Sequence, residues 1–206
     1  MLFLGSLDAR KGVLDLPSLL TNIGPIDGGA PPYLVVAGEG PQRSALERDL
    51  RQAGLDGDSA TVGFVADPGS LIAAVDVVVL LSRAEGLSQV LVQAAAAGTP
   101  FVAYDVDGVG ELIDAGADGI AVVPGDLSAA ARAAERLLGR GAAAQAASID
   151  LSEWAPDRIT QAYRRLLGPM LGAVANAPAT DAATGASYAS ASGSVESGEL
   201  ASGRGA

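Results

Sequence analysis

The sequence VDVVVLLSRAEGLSQVLVQAAAAGTP, residues 75–100, decides the fold class. Its first seven residues, 75–81, form an almost unbroken apolar run that is rich in valine. A strand with one face in water alternates apolar and polar residues, whereas an unbroken run is typical of a strand buried on both faces. Such strands occur in parallel sheets that are covered by helices on both sides. The stretch 88–97 that follows is predicted to be one of those helices.

The same alternation of strand and helix runs along most of the chain. In the segment 42–54, for example, Leu46, Leu50 and Ala53 recur on one helical face, and Gly54 ends the helix. We predict strands at residues 2–5, 33–37, 61–65, 75–81, 101–104 and 120–123. We predict helices at residues 13–20, 42–54, 71–75, 88–97, 110–115, 128–138 and 156–167. Repeated strand–helix units predict an α/β fold with a single Rossmann-like, doubly wound parallel sheet.

The end of the chain has a different composition. Residues 171–206 are mostly alanine, serine and glycine, with very few large apolar side chains. Such a segment buries too little apolar surface to offset the conformational entropy lost on ordering. We therefore predict one folded domain over 1–170 and a disordered, low-complexity tail over 171–206 that carries no chemistry.

Composition excludes several classes of function. The 206 residues include no cysteine and no histidine, which excludes disulfides, thiol nucleophiles, serine–histidine triads and the usual zinc sites. The net charge of -11 repels nucleic acids and anionic lipid, so any bound anion must be held locally. No apolar run approaches the roughly 20 residues of a transmembrane helix, and the first residues do not resemble an export signal. We expect a cytoplasmic protein with no nucleic-acid partner and no transmembrane segment.

Ligands of open parallel sheets bind where strands lead into helices, so the loops at those positions are the candidate sites. The loop GSLDARKG, residues 5–12, ends with Arg10 and Lys11, and a lysine ammonium there could reach a phosphate. It could equally be a solvated turn with two surface charges. The loop GEGP, residues 38–41, has good turn chemistry and is compatible with a simple connector.

The loop SRAEGLS, residues 82–88, is the most specific of these candidates. Ser88 is placed to cap a helix, and the amides around Ser88, Gln89 and Val90 would favour an anion at the strand ends. The Glu85 carboxylate could accept hydrogen bonds from sugar hydroxyls, and the amide of Gln93 can bond a diol. The alternative is an ordinary helix start with one surface acid.

The loop DVDGVGE, residues 105–111, matches neither a complete dinucleotide fingerprint nor a phosphate-binding loop. Asp107 and Glu111 place negative charge near the candidate anion site. Asp105 and Asp107 lack a third ligand and make a poor metal site. We expect neither a metal nor a cofactor.

Taken in order, FLGSLDARKG, LVVAGEGP, VGFV, DVVVLLSRAEGLSQVLVQAAAAGTPFVAYDVDGVGELI and DGIAVVPGD resemble the C-terminal, nucleotide-sugar-binding domain of family 4 retaining glycosyltransferases, the glycosyl transferases of group 1. The resemblance extends over residues 1–167. It implies the C-terminal half of the two-domain GT-B fold. It also implies the donor-binding half of an enzyme that transfers a sugar from a UDP- or GDP-linked donor to an acceptor, with no metal.

The resemblance also implies roles for individual residues. Lys11 matches the lysine that binds the donor diphosphate, but Ser6 occupies the position of its partner arginine, and Arg10 is a neighbouring cation. Glu85 matches the acid that contacts the donor sugar. Gln93 occupies the position of the second acid, which holds the ribose, so hydrogen bonding is retained without the negative charge.

Weaker implications concern the backbone and the partner domain. Backbone groups near Ser88, Gln89 and Val90 would face the sugar and phosphates, and residues 62–64 would lie near the base. The acceptor domain would have to come from another chain in trans. The alternative is a non-catalytic or truncated remnant that binds a nucleotide sugar without turnover. A sugar-nucleotide epimerase shares the two-domain fold but fits the quoted motifs less well.

Overall fold

A computed structural model describes residues 1–141 and, beyond them, Ile149, Ser152, Arg158 and residues 160, 161, 164, 165 and 167. The chain divides into two compact units, Met1–Arg158 and Ile159–Ala206. In the second unit the described residues are helical. Half of the residues of the predicted helix 156–167 are described, and these are helical, whereas the predicted tail 171–206 lies entirely outside the described residues.

The first unit is built on one sheet in which every strand pairing is parallel. Within the described residues the strand order is β3-β2-β1-β4-β5-β6, which confirms the predicted doubly wound sheet. The strands are β1 (Leu2–Leu4), β2 (Leu34–Ala37), β3 (Ser59–Gly63), β4 (Val78–Leu80), β5 (Phe101–Tyr104) and β6 (Gly119–Val122). The order reverses between β1 and β4, so a crevice opens beyond the carboxyl ends of these two central strands.

Helices connect the strands and cover both faces of the sheet. They are α1 (Leu16–Asn22), α2 (Arg43–Gln52), α3 (Pro68–Ala73), α4 (Gln89–Ala97), α5 (Val109–Asp114) and α6 (Leu127–Leu138). Short 3-10 turns precede α1 at Ala9–Lys11 and Val13–Asp15, and a third lies at Ile26–Gly28. None of the helices in the described part of the chain is long and apolar enough to cross a membrane.

Residues 77–81 explain why the central run is apolar throughout. Val77, Val79 and Leu81 enter the core cluster on one face of the sheet, with side chains from α1, α2 and α6. Val78 and Leu80 enter the cluster on the opposite face, with α3, α4 and α5. All five are at most 1% exposed, which confirms that this strand is buried on both faces.

Most elements begin or end within three residues of their predicted bounds, and two of these differences have clear local reasons. Strand β3 lies two residues earlier than predicted, because Gly63 adopts a φ of 75° and ends the strand while Phe64 turns outward. Helix α3 begins at Pro68 instead of residue 71 because the Asp67 carboxylate caps it by accepting a hydrogen bond from the Ser70 amide, 3.1 Å away.

Candidate functional site

The crevice at the centre of the sheet is formed by the loop 5–12 after β1 and the loop 81–88 after β4. The Arg83 amide donates a hydrogen bond to the Arg10 carbonyl at 2.8 Å, which joins the two loops. Gly12 has a φ of 65°, and a Cβ there would collide with the Leu81 carbonyl oxygen. The close packing of these backbones fixes the relative positions of the side chains that follow.

Asp8 organises the first of these loops. Its carboxylate accepts hydrogen bonds from the amides of Arg10 and Lys11 at 3.0 and 3.2 Å, and from the Ser6 hydroxyl at 2.7 Å. The Ser6 hydrogen bond is the largest of the effects that lower the pKa of Asp8, so the cap is ionised at neutral pH. Sequence reasoning missed this role, although an aspartate directly before a short helical turn is a recognisable capping signal.

Lys11 and Glu85 meet across the crevice. The Lys11 Nζ atom donates to the Glu85 Oε1 atom at 2.5 Å, and the two side chains are only 16% and 11% exposed. Burial raises the pKa of the Glu85 carboxyl, but the Lys11 ammonium, the neighbouring Ser82 hydroxyl and the charge of Arg10 outweigh burial and lower it. The structure thus brings together the two residues predicted to bind a phosphate and a sugar, as a sheltered ion pair.

The other predicted residues lie around this pair. Ser88 is buried and caps α4, its hydroxyl accepting from the Leu91 amide at 3.5 Å, so Gln89 and Val90 form the first turn with its amide donors. Gln93 is exposed on α4, and no hydrogen bond joins it to Glu85 within the described residues. Arg10 is also exposed and acts on Glu85 through its charge.

An apolar cavity of about 390 Å³ adjoins the crevice at the ends of β1, β2 and β3. A Cβ at Gly5, in the cavity wall, would lie 4.0 Å from the Lys11 side-chain carbons, so the lysine stem lies beside one residue of the cavity wall. Phe64 is 81% exposed at the cavity edge, and Val65 also lines the cavity. The lining residues are Leu4, Gly5, Ser6, Ala37, Gly38, Glu39, Phe64, Val65 and Pro68.

The loop 38–41 does more than connect β2 to α2. Gly38 has a φ of 141°, and a Cβ there would collide with the Gly5 carbonyl oxygen. The Leu7 amide donates to the Glu39 carbonyl, and the Gln42 amide donates to the Leu7 carbonyl, each at 2.9 Å. This loop therefore packs directly on the loop after β1 and helps to shape the cavity.

A second network that sequence reasoning missed supports the loop after β4. The Arg83 guanidinium donates to the Asp15 carboxylate at 2.9 Å, and the Tyr104 hydroxyl donates to the same oxygen at 3.4 Å. Burial, followed by the Asp15 charge, raises the pKa of Tyr104. Because these residues lie far apart in the sequence, no local pattern predicts their contact.

The loop after β5 packs against the loop after β4. Gly108 has a φ of 81°, and a Cβ there would collide with the Gly86 carbonyl oxygen beside Glu85. Asp107 and Glu111 are exposed. In the part of the chain that the structure describes, no group of three or more acidic side chains could hold a metal ion.

Comparison with known proteins identifies a family. The family model of the glycosyl transferases group 1 matches residues 1–140. The chain is 36% identical to the alpha-D-kanosaminyltransferase of Streptomyces kanamyceticus over 143 residues, which is 67% of this chain and 36% of that protein. It is 34% identical to a glycogen synthase of Mycobacterium tuberculosis over 148 residues, which is 70% of this chain and 35% of that protein.

Solved structures agree on the fold. The Anabaena protein HepE in complex with UDP superposes with a TM-score of 0.65 at 22% identity, covering 84% of this chain and 48% of that chain. The same protein has been solved with UDP-glucose. The present chain spans about a third of the length of the curated relatives named above. The match over residues 1–140 nevertheless shows that the chain belongs to the glycosyl transferases group 1 family.

Proposed function

We propose that this chain is the donor-binding half of a retaining glycosyltransferase that uses a nucleoside diphosphate sugar. The observation that carries the proposal is the Lys11–Glu85 pair, which joins the two loops at the reversal of the strand order. Lys11 lies beside Gly5 of the apolar cavity wall, and Glu85 precedes the capped start of α4 by three residues. The cavity offers an apolar site for a base, Lys11 offers a cation for a diphosphate, and Glu85 offers an acceptor for sugar hydroxyls.

In this proposal each part of the donor has its own place. The nucleobase enters the 390 Å³ cavity, where Phe64 offers an aromatic face for stacking. Lys11 and the amides of Gln89 and Val90 hold the diphosphate. Glu85 accepts hydrogen bonds from the sugar, and Gln93 bonds the ribose hydroxyls.

Local charge matters because the whole chain is acidic. With a net charge of -11, the protein repels a nucleotide at long range, so the anion must be attracted by nearby groups. Lys11 and Arg10 are adjacent in the loop after β1, and the charges of both lower the pKa of Glu85. No resident metal is part of the proposal.

The same groups would serve the reaction. As the bond between sugar and diphosphate breaks, negative charge accumulates on the leaving diphosphate, and Lys11 with the α4 amides stabilises it. Glu85 keeps the sugar oriented for attack with retention of configuration. The acceptor site lies outside this unit and would be supplied by another domain or by a partner chain in trans. HepE, which shares the fold, has been crystallised with UDP and UDP-glucose, and this supports a nucleotide ligand.

A thermal-shift titration with UDP, GDP and ADP tests the proposal. Ligand at about 100 times its Kd stabilises the fold by roughly 2.7 kcal/mol, which raises the Tm by roughly 5–10 °C for a domain of this size. We expect one nucleotide to give this shift and Lys11→Ala to abolish it. Arg48→Ala removes a 57% exposed cation on α2 and should preserve the shift. A shift that survives in Lys11→Ala would contradict the assignment of the diphosphate site.

A second candidate is a module that binds a nucleotide sugar without turnover. It is favoured by Ser6, which occupies the position of the arginine that the family resemblance implies. The short Ser6 hydroxyl donates a hydrogen bond to Asp8 and cannot replace the contact of a guanidinium with the diphosphate. It is also favoured by the uncharged Gln93. Hydrolysis of the bound donor, or transfer of its sugar, by the purified chain would favour the enzyme over the module, because a module returns the donor unchanged.

A further inference from the structure

The Lys11–Glu85 ion pair has a consequence for any anion that enters the crevice. Lys11 already holds a carboxylate at 2.5 Å, and both side chains are more sheltered than those of Arg43 and Glu47 on α2, which are 36% and 38% exposed. A phosphate oxygen that contacts the Lys11 ammonium would lie about 4–5 Å from the Glu85 carboxylate. While it stays paired with Glu85, the lysine therefore cannot accept a phosphate without bringing two anions close together.

Building on the function proposed above, we propose that Glu85 is a specificity-determining counter-ion, which disfavours the free nucleoside diphosphate relative to the nucleoside diphosphate sugar. In the sugar donor the terminal phosphate is esterified and carries a single negative charge. In the free diphosphate the same phosphate ionises again with a pKa of about 6, so above neutral pH it carries about one additional negative charge. That additional charge lies on the phosphate nearest Glu85.

The two ligands present different chemistry to the same carboxylate. The donor brings sugar hydroxyls, which donate hydrogen bonds to Glu85. The free diphosphate brings only additional negative charge and no donor beyond the phosphate. In a site where both side chains are less than a fifth exposed, solvent screens this repulsion poorly. If Lys11 instead leaves Glu85 for the phosphate, the carboxylate loses its partner, which also disfavours the diphosphate.

The same geometry gives Glu85 a part in turnover. Once the sugar has left, the product in the crevice is the free diphosphate, and the charge on its terminal phosphate rises beside Glu85. The carboxylate thus favours release of the product and limits its competition with fresh donor. Lys11 remains paired throughout, either with the phosphate or with Glu85.

Calorimetric titration at pH 8 of the full chain tests the proposal with three ligands: UDP, the methyl ester of UDP at its terminal phosphate, and UDP-glucose. The methyl ester has the charge of the donor but no sugar. The variant Glu85→Gln keeps the shape and hydrogen bonding of the side chain. In this variant the affinity for UDP, divided by the affinity for the methyl ester, should be at least about fivefold higher than in the wild type. UDP-glucose should bind no tighter. The corresponding GDP or ADP series replaces these ligands if the thermal shifts select guanine or adenine.

Two further variants make the result decisive. Glu47→Gln removes the same charge from the surface of α2 and should leave every affinity ratio unchanged. Glu85→Asp keeps the charge but withdraws the carboxylate by one methylene. The affinity for UDP relative to the methyl ester should therefore rise by less than in Glu85→Gln. It also replaces Glu85→Gln if that variant fails to fold by circular dichroism.

The outcomes separate the two proposals. An unchanged ratio of UDP to methyl ester in a folded Glu85 variant, or the same change in Glu47→Gln, overturns the counter-ion role while leaving nucleotide binding intact. A wild-type protein that binds none of the uridine, guanosine or adenosine ligands overturns the proposed function itself, and the counter-ion role with it.

Discussion

The crevice and the outer flank of the sheet, residues 39–58 around α2, each contain an ion pair with an N···O distance of 2.5 Å. In the crevice, the side chains of Lys11 and Glu85 are 16% and 11% exposed, whereas those of Arg43 and Glu39 on the flank are 36% and 54% exposed. Solvent screens the exposed pair and lowers its contribution to stability. The comparison teaches that shelter from solvent, and not the length of the contact, distinguishes a pair that organises a site from one on the surface.

Glycines show the same contrast between the two regions. Gly12 in the crevice and Gly54 on the flank have similar left-handed backbones, with φ values of 65° and 72°. A Cβ at Gly12 would meet the Leu81 backbone, whereas a Cβ at Gly54 would meet nothing within 4 Å. Backbone conformation requires glycine at both positions, but only the crevice adds a close approach between two strands' loops.

The largest expected effect comes from replacing these glycines. Gly12→Ala should lower the free energy of unfolding by about 3 kcal/mol or more, since left-handed strain and a backbone collision add together. Gly54→Ala should lower it by about 1–2 kcal/mol from the strain alone. Urea denaturation of both variants measures the difference. Equal losses would show that the two loops are not packed as closely as described.

The next effect concerns the ion pairs. Lys11→Met keeps the alkyl stem but leaves the sheltered Glu85 carboxylate without its partner, so the free energy of unfolding should fall by about 1–3 kcal/mol. Arg43→Met on the flank should cause a much smaller loss, although it removes contacts to both Glu39 and Glu47. Denaturant titrations at pH 7 in low salt make the comparison, and the opposite ranking would refute it.

A smaller effect separates binding from stability at exposed apolar residues. Phe64 and Val123 are 81% and 69% exposed, but only Phe64 lines the cavity. Phe64→Ala should weaken nucleotide binding about fivefold or more through lost stacking. Val123→Ala should leave the affinity unchanged, and neither change should alter stability by more than about 0.5 kcal/mol. Calorimetric titration with the nucleotide selected by the thermal shifts measures both affinities.

The smallest effect is the pH dependence of the crevice pair. Because folding lowers the pKa of Glu85, its ionised form stabilises the fold at neutral pH, and this stability is lost as the pH falls through the lowered pKa. The Tm advantage of the wild type over Glu85→Gln should therefore narrow from pH 7 towards pH 3. An advantage that stays constant across this range would mean that Glu85 contributes no ion-pair stabilisation.

The fold could be predicted because its signals are local. The unbroken run at 77–81 has its residues divided between two cores, which requires a strand covered on both faces. Ends of elements were less predictable, because Gly63 and the Asp67 cap act through backbone geometry that apolar periodicity does not reveal.

The candidate site was predictable only in part. Lys11, Glu85 and Ser88 were identified from strand-end loops and from family resemblance, and the structure places them around one crevice. Their pairing was not predicted, because hydrogen-bonding chemistry gives each residue a role towards a ligand and says nothing about a contact between them. The Arg83–Asp15 contact spans 68 residues and depends on the sheet that joins its two ends.

The long separation of Lys11 and Glu85, 74 residues along the chain, has a consequence for how binding develops during folding. The pair cannot form until β4 has docked beside β1, so a growing or partly folded chain that contains only the first three strands has no complete crevice. Contacts this distant in sequence close late, after local helices and neighbouring strands. If the proposed function holds, a bound nucleotide should slow unfolding of the finished domain without accelerating its folding, because the proposed site exists only once the centre of the sheet has assembled.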